Sequence, residues 1–395
     1  MSTRARTRRR EPAILTTAEA PSNLPRLLER EAASAWLLPL DRRTSFEGLA
    51  GISVAPDRRT AAVFLVAGEG QSMVNHAIRW DLERGDPPEP PLEAELPLTV
   101  GRASFGSGGR MALPRLVRVE EDSTWAGAAI AQGVVLWGAD GELGRPFARA
   151  ERCWPIAFHP NGRELAVTSS RADQERSLAI TLWDVDERRP TKRITTRRRD
   201  VFDLAFAPTG DVLAVAAPHS GIELWDPRAG QLVHEHAVNG MFYRLAFSPD
   251  GERVAAGTAS GTVVVVDVRS GTRIAELRAG TREVIDVAFD PAGSPTLAAT
   301  SGDRVRFLDI EQGKQVAMVD LGALAEDHEW SSIVRQGSLG RELPEEEALD
   351  EDDMAELDAY ADELLGPPHR VVSMSWSDAG LTIATGGGHV WHWRA

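Results

Sequence analysis

Cysteine, lysine and long apolar runs are scarce in this chain, and each scarcity narrows what the protein can be. The single cysteine, Cys153, excludes an internal disulfide and suits a reducing compartment. No apolar run approaches the roughly 20 residues that a membrane-spanning helix needs. The arginine-rich N-terminus lacks the apolar core and cleavage site of a secretory signal. We therefore expect a cytoplasmic protein that does not enter a membrane.

Lysine is nearly replaced by arginine. Lys192 and Lys314 are the only lysines among the 44 basic residues. Arginine and lysine are not physically interchangeable at specific sites, but a bias that extends over ordinary positions indicates genome composition. We interpret it as the mark of a GC-rich bacterial source.

The negative charge is concentrated in one segment. The net charge is −15, and residues 342–363 hold twelve Asp and Glu with no Lys or Arg. Without that segment, 47 acidic residues face 44 basic residues, which leaves −3. A nearly neutral body with an acidic segment is not typical of a general nucleic-acid binder.

A short phrase recurs along the chain at a spacing of about 40 residues. A repeat of this period indicates one small unit copied many times. Its clear copies are 157–162 (AFHPNG), 205–210 (AFAPTG), 246–251 (AFSPDG) and 288–293 (AFDPAG), with weaker copies at 53–57, 104–109 and 375–380.

Each copy opens a unit of four short apolar runs. In the unit at 197–237 the runs are 201–206, 212–216, a third that closes on Leu224-Trp225-Asp226, and 231–234. Short runs rich in Val and Ile, separated by Gly, Pro and Asp, are typical of strands in hairpins. The sequence therefore predicts an all-β protein.

The end of the third run resembles the WD-repeat β-propeller family. Trp80-Asp81, Trp183-Asp184 and Trp225-Asp226 are literal Trp-Asp pairs; Trp137 and Trp393 keep the Trp, and Asp267 and Asp309 keep the Asp. The resemblance covers about residues 49–395. The Gly-His dipeptide of that family is absent, and Ser220 and Ser260 stand where the family usually has Asp before the third strand.

The resemblance implies a seven-bladed propeller over 34–395, with an N-terminal arm and one acidic helical insertion. The blades are expected at 49–97, 98–149, 150–196, 197–237, 238–278, 279–320 and 371–395. The last unit stops after its third strand, so we expect residues 35–40 to supply the fourth. Deleting residues 1–42 should then lower thermal stability, whereas deleting residues 1–20 should not.

The largest break in the repeat is the acidic insertion at 321–370. Acidic residues 350–353 favour a helix N-terminus, and Gly366 with two following prolines ends it. One interpretation is a protein-docking helix; the other is that its apolar stripe packs on its own propeller. The docking candidates are Met354, Leu357, Leu364, Leu365, Glu356 and Asp358.

Two further segments are basic. The arm at 1–33 begins with an arginine-rich tip that should be disordered alone. A helix is expected to open at Asn23 and to run through Leu27, Leu28, Glu31 and Ala32. The second segment surrounds the outer strand of the third unit, where charge either protects an edge strand or forms a patch for phosphates or an acidic protein. Its residues are Arg188, Arg189, Lys192, Arg193, Arg197, Arg198 and Arg199.

Signatures of enzymes and cofactors are weak. The glycines at 106–109 precede Arg110 and not the Lys-Ser/Thr of a phosphate loop. The pairs His234/His236 and His389/His392 lack a third ligand, so we place them on strand surfaces rather than at a metal. We expect no cofactor and no catalytic residue.

These observations favour a non-catalytic protein-interaction scaffold, a subunit of a bacterial signalling or defence assembly that binds one or more proteins with a basic surface. The alternative is a nucleic-acid or ribonucleoprotein-associated subunit that uses the arginine patches. An enzyme with its site in the propeller channel is the least favoured hypothesis.

Overall fold

The computed structural model describes residues 14–327 and 369–394 with gaps. The positions outside the description within those ranges are 19, 21–23, 25–26, 29–33, 38–45, 56–59, 70–71, 82–94, 97–103, 107–109, 119–128, 139–143, 152–154, 170–177, 197, 199, 219–220, 238–241, 379 and 387–388. Cys153 is one of these positions.

The strands form seven antiparallel sheets, six with four strands and one with five. Sheet 1 contains β3 (Phe46–Val54), β4 (Thr60–Glu69), β5 (Ser72–Asp81) and β6 (Glu95–Leu96). Sheet 2 contains β7 (Ser104–Phe105), β8 (Met111–Arg118), β9 (Ala129–Trp137) and β10 (Phe147–Glu151). Sheet 3 contains β11 (Ile156–Phe158), β12 (Glu164–Ser169), β13 (Ala179–Asp184) and β14 (Arg189–Thr195).

The other four sheets follow the same order. Sheet 4 contains β15 (Asp203–Phe206), β16 (Leu213–Ala217), β17 (Gly221–Asp226) and β18 (Gln231–His236). Sheet 5 contains β19 (Phe242–Phe247), β20 (Arg253–Thr258), β21 (Thr262–Asp267) and β22 (Arg273–Arg278). Sheet 6 contains β23 (Val284–Phe289), β24 (Thr296–Ser301), β25 (Arg304–Asp309), β26 (Lys314–Asp320) and, at its outer edge, β1 (Ile14–Thr16). Sheet 7 contains β27 (Val371–Ser377), β28 (Gly380–Thr385), β29 (His389–Arg394) and β2 (Ser34–Leu37).

The fold is an all-β β-propeller with almost no helix. Within the described part of the chain, helix is confined to α1 (Leu321–Asp327) and to the helical residues Leu24, Leu27 and Leu28. The expectation of seven equivalent four-stranded units is wrong for sheet 6, because the N-terminal arm adds a fifth strand to it.

The recurring phrase forms the turn between the first and second strands. In sheet 4, the N–H of Ala207 donates to the Val212 carbonyl at 2.8 Å and that of Gly210 donates to the Ala207 carbonyl at 2.8 Å. Gly210 has a φ of 77°, and the glycines at the same place in the other clear copies also have positive φ. Glycine recurs there because other residues adopt this backbone region only at a cost.

The aspartate that ends the third strand caps the next turn. Asp226 Oδ1 accepts the N–H groups of Arg228 and Ala229, each at 2.8 Å. Asp184 Oδ1 likewise accepts the N–H groups of Asp186 and Glu187. The pKa of Asp184 is lowered by the N–H of Glu187 and then by Arg163, against the opposing effect of burial. The aspartate of the repeated Trp-Asp pair is therefore a turn-forming residue.

The hydrophobic core lies in layers between neighbouring sheets. One layer joins sheet 3 to sheet 4 and includes Ile180, Ile194, Leu213 and Val215. Contacts between sheets run from sheet 1 through sheet 7 and return to sheet 1, mostly through first strands such as β23 and β27. Sheets 3 to 6 thus bury both faces, which explains apolar runs without strict alternation in their second and third strands.

Side chains three residues before the repeated aromatic connect first strands of neighbouring sheets. Asp203 accepts the Leu245 N–H at 2.8 Å, and Asp286 accepts the Met374 N–H at 2.9 Å. Ser373 Oγ donates to the carbonyl of Ile52 at 2.8 Å and so connects sheet 7 to sheet 1. The same repeat position therefore supplies a latch at three sheet boundaries.

The described part of the N-terminal arm lies on its own sheets 6 and 7. Ser34–Leu37 pairs antiparallel with β29, with Ala35 opposite Trp391, which confirms the predicted pairing for residues 35–37. Residues 38–40 lie outside the described residues. Ile14–Thr16 pairs with β26, and Leu24, Leu27 and Leu28 join the core layer between sheets 6 and 7. The helix expected to open at Asn23 is present at these three leucines.

Candidate interaction surfaces

The acidic insertion is described only at its ends. α1 opens it, with Asp320 Oδ1 accepting the Ala323 N–H at 3.1 Å and Leu321 fully buried. The helix expected over 350–365 falls outside the described residues, as do all six docking candidates named from the sequence: Met354, Leu357, Leu364, Leu365, Glu356 and Asp358. Their role stays a prediction.

The basic patch lies on β14, the outer strand of sheet 3. Arg189 and Arg193 are exposed, whereas Lys192 is half-buried. A Cβ added to Gly230 would lie 2.8 Å from Lys192 Cε. The aliphatic part of the lysine side chain therefore covers Gly230, the last turn residue before β18. The side chains of this strand therefore point to different faces, as the alternation of a strand requires.

Arg188 occupies a position that other repeats give to glycine. It follows Asp184 by four residues, as Gly230 follows Asp226, and both have positive φ, 51° and 71°. A left-handed backbone costs a non-glycine residue roughly 1–2 kcal/mol. Arg188 is thus held in a strained conformation by the turn.

Arg198 of the predicted patch belongs to a partly buried polar network. Its guanidinium donates to Glu223 and, at 2.5 Å, to Glu235. The indole of Trp225 donates to the second Glu223 oxygen at 2.9 Å, and Glu223 is only 2% exposed. Burial opposes the charge of Arg198, but the two carboxylates outweigh it and raise its pKa.

This network reduces the positive patch. Arg198 is committed to carboxylates, Arg189 pairs with Glu187, and Arg197 and Arg199 lie outside the described residues. For Arg193, no carboxylate partner occurs among the described residues. Among the described residues of the patch, Arg188, Arg189 and Arg193 are exposed, whereas Arg198 is engaged by carboxylates.

A polar cavity lies among the first strands of six sheets. Its volume is about 330 Å³, and its polar lining includes Ser53, Ser104, Asp203, Arg244 and Ser375. Arg244 Nη1 is 3.9 Å from Asp203 Oδ1, and Ser104 Oγ accepts the Phe158 N–H at 2.7 Å. These groups hold neighbouring first strands together, which is a structural use of the polar lining.

The histidines of the last sheet are buried, so their expected place on a strand surface is wrong. His392 is 4% exposed and its Nδ1 lies 2.8 Å from Thr382 Oγ1. His389 is 8% exposed, with Nδ1 3.1 Å from Thr385 Oγ1. Sheet 7 packs between sheets 6 and 1 and is covered by β2, so little of β29 reaches solvent.

The described residues contain no group of three or more His, Cys, Asp or Glu placed to hold a metal ion. None of their helices has both the length and the apolar character that crossing a membrane requires.

Comparison with known proteins found similarity to one repeat family over part of the chain. Residues 230–267 match the family described as "WD domain, G-beta repeat". The match runs from the turn before β18 to the aspartate at the end of β21, so the sequence repeat begins with the outer strand of sheet 4. The comparisons support the WD-repeat family for this chain.

Several curated WD-repeat proteins are similar over part of the chain. The WD repeat-containing protein SL1-17 of Schistosoma mansoni is 29% identical over 118 residues, 30% of this chain and 38% of that protein. The WD repeat-containing protein VIP3 of Arabidopsis thaliana is 27% identical over 128 residues, 29% of this chain and 38% of that protein. The human F-box-like/WD repeat-containing protein TBL1X is 27% identical over 88 residues, 22% of this chain and 15% of that protein.

The alignments thus span well under two thirds of each relative's length. WD-repeat proteins are generally non-catalytic scaffolds that bind other proteins. Which partner this chain binds does not follow from the similarity.

Proposed function

We propose that this chain is a non-catalytic protein-interaction scaffold, a cytoplasmic subunit of a bacterial multiprotein assembly of the signalling or defence type. The observation that carries the proposal is the propeller itself, a series of sheets latched to one another at their first strands. Such a frame fixes the positions of its loops and outer strands and leaves them available to other proteins.

The proposal includes a closed ring of seven blades. It is supported by the seven sheets, by the contacts that return from sheet 7 to sheet 1, and by the pairing of β2 with β29. In this arrangement sheet 6 is the blade with an additional outer strand.

We place the main partner contact at the 321–370 insertion and the adjoining face. The insertion is the longest break in the repeat and combines an apolar stripe with the twelve acidic residues of 342–363. Leu357 and Leu364 would each contribute roughly 1.5–3 kcal/mol if fully covered. The acidic residues would attract a partner with a basic surface and would mainly raise the association rate.

The test replaces residues 340–366 by a short Gly-Ser linker. We expect the variant to fold with an unchanged melting temperature, because sheets 6 and 7 pair through strands that the change leaves intact. It should lose the partner that the unmodified protein captures from its host, as identified by mass spectrometry. A matched control converts the acidic residues at 350–353 to their amides and should slow association without abolishing it.

Two results would contradict the placement. A linker variant that folds and keeps every partner would show that the insertion is not the contact. A linker variant that fails to fold would show that the insertion belongs to the core.

The nucleic-acid alternative has less support from the structure, because Arg198 is committed to Glu223 and Glu235. We expect weak, sequence-independent binding at most in an electrophoretic shift assay at about 0.15 M salt, where electrostatic binding is strongly reduced. Sub-micromolar binding that Arg189→Glu and Arg193→Glu abolish would instead support the alternative.

A further inference from the structure

The outer strands of sheets 3–6 share one irregularity. In each, the pairing with the third strand skips a residue at the same repeat position, which is the pattern of a β-bulge. The skipped residues are Thr191, Val233, Ile274 and Val316.

These four equivalent residues differ in how they are covered. Val316 in sheet 6 is fully buried, because it packs with Leu24, Leu27 and Leu28 and its carbonyl accepts the Thr17 N–H at 2.8 Å. Val233 and Ile274 have no such cover and are 51% and 46% exposed. Sheets 4 and 5 therefore present apolar side chains at the place that the N-terminal arm covers in sheet 6.

The edge of sheet 4 carries its bulge and Glu235 but no Lys, Arg or Pro. Exposed edge strands usually carry Lys, Arg or Pro, as β14 does with Arg189, Pro190 and Arg193. β18 has none of these residue types, and Leu232 beside Val233 is 41% exposed.

Sheets 4 and 5 are in contact next to Val233. His234 Nε2 lies 2.8 Å from the Arg269 carbonyl, and a Cβ added to Gly271 would be 2.5 Å from His234 Cβ. The turn before β22 therefore rests on β18. We call Leu232, Val233 and Ile274 the perimeter strip.

Carboxylates around the perimeter strip are already engaged. Asp226 and Asp267 cap their own turns, Glu235 pairs with Arg198, and Glu276 pairs with Arg273.

Guanidinium groups beside the perimeter strip remain exposed. Arg228, Arg269 and Arg278 are exposed, and no salt bridge joins them to a carboxylate within the described part of the chain. These guanidinium groups are therefore available to carboxylates of a partner.

We propose that the perimeter strip binds an extended segment of another protein, with aliphatic or β-branched side chains flanked by Asp or Glu. The segment pairs along β18 in the way that β1 pairs along β26. Its apolar side chains cover Val233 and Ile274, and its carboxylates meet the exposed guanidinium groups. This surface is separate from the 321–370 insertion, so the inference goes beyond the proposed function.

The test uses the full chain and two fluorescein-labelled synthetic peptides. Both contain an Ile-Leu-Thr core, the sequence of β1, and are flanked on each side by two Glu or by two Arg. We expect the Glu-flanked peptide to bind in a fluorescence anisotropy titration, and the Arg-flanked peptide to bind at least tenfold more weakly.

Variants at the bulge position locate the binding. The double variant Val233→Lys/Ile274→Lys should weaken binding of the Glu-flanked peptide at least tenfold. The matched control Thr191→Lys, at the equivalent position of sheet 3, should stay within twofold of the unmodified protein. The Gly-Ser linker variant of the insertion should also bind normally, which separates this test from that of the proposed function.

Hydrogen exchange gives a readout that needs no variant. Backbone amides of 231–236 should gain protection when the Glu-flanked peptide is added to the unmodified protein.

The proposal is wrong if the peptide does not bind up to millimolar concentration, or if binding survives the double variant. It is also wrong if the amides of 231–236 gain no protection. Sedimentation of the unmodified protein as a dimer that the double variant dissociates would identify a second copy as the occupant and would overturn the proposed partner.

Discussion

Leucine substitutions in the N-terminal arm should destabilise the propeller although they lie outside its repeats. Leu24 is fully buried and Leu28 is 2% exposed, in a layer that also contains Trp391 and Val316. Replacing a buried leucine by alanine removes its burial and leaves a cavity, at about 2–5 kcal/mol. We expect Leu24→Ala and Leu28→Ala each to reach that range.

The loss should saturate in the double variant. The described arm is attached through β1, the three leucines and β2, so once it detaches a further substitution removes nothing more. The double variant should therefore lose less free energy of unfolding than the sum of the single variants. Because β1 lies within residues 14–16, we now also expect deletion of 1–20 to lower stability, contrary to the expectation from the sequence.

Thermal and guanidinium unfolding would measure these effects. At about 2.1 cal/mol/K per residue, a chain of 395 residues loses roughly 1.2 °C per kcal/mol, so we expect each single variant to melt roughly 2–6 °C lower. Leu232→Ala is the matched control, because the same chemical change at a side chain that is 41% exposed should be within about 1 kcal/mol of neutral. If Leu24→Ala melts no lower than this control, the arm does not stabilise sheets 6 and 7.

Three further variants test individual residues. Arg188→Gly should raise the free energy of unfolding, measured in guanidinium, by about 0.5–1 kcal/mol. Glycine removes the backbone strain of the left-handed conformation at residue 188, and this gain exceeds the loss from the larger conformational entropy of the unfolded chain. The neighbouring Arg189→Gly lies in a strand and should lower the free energy of unfolding. Glu223→Gln should cost about 2–3 kcal/mol by the same measurement, since it leaves the partly buried Arg198 without its inner carboxylate. Burial, and then the charge of Arg273, lower the pKa of His236, so the unfolded chain binds more protons than the folded chain as pH falls through 6.5, and stability is lost there. His236→Asn should reduce the loss of unfolding free energy between about pH 7.5 and pH 5.5. An unchanged loss would contradict the assignment to His236.

The repeat architecture could be predicted from the sequence because its signals are local. A glycine such as Gly210 is needed where the turn requires positive φ, and an aspartate such as Asp226 caps the turn that follows it within three residues. The missing fourth strand of the last unit could be predicted by counting strands, and the pairing of Ala35 with Trp391 confirms it.

The fifth strand of sheet 6 could not be predicted in this way. Ile14–Thr16 is three residues long and carries no turn signal, and its place depends on the edge that β26 offers after the sheets have assembled. The burial of His389 and His392 likewise depends on the sheets that pack on either side of β29.

Tertiary structure also decided which charges remain at the surface. Seven basic residues form one cluster in the sequence, but Arg198 is drawn inward by Glu223, 25 residues away. The hydrogen bonds between first strands join residues still farther apart in the sequence. Asp203 and Leu245 are separated by 42 residues, and Ser373 and Ile52 by 321 residues. The sequence alone determined the strands and turns, because those need only neighbouring residues. The contacts between sheets required the assembled propeller, because their partners meet only when the blades pack together.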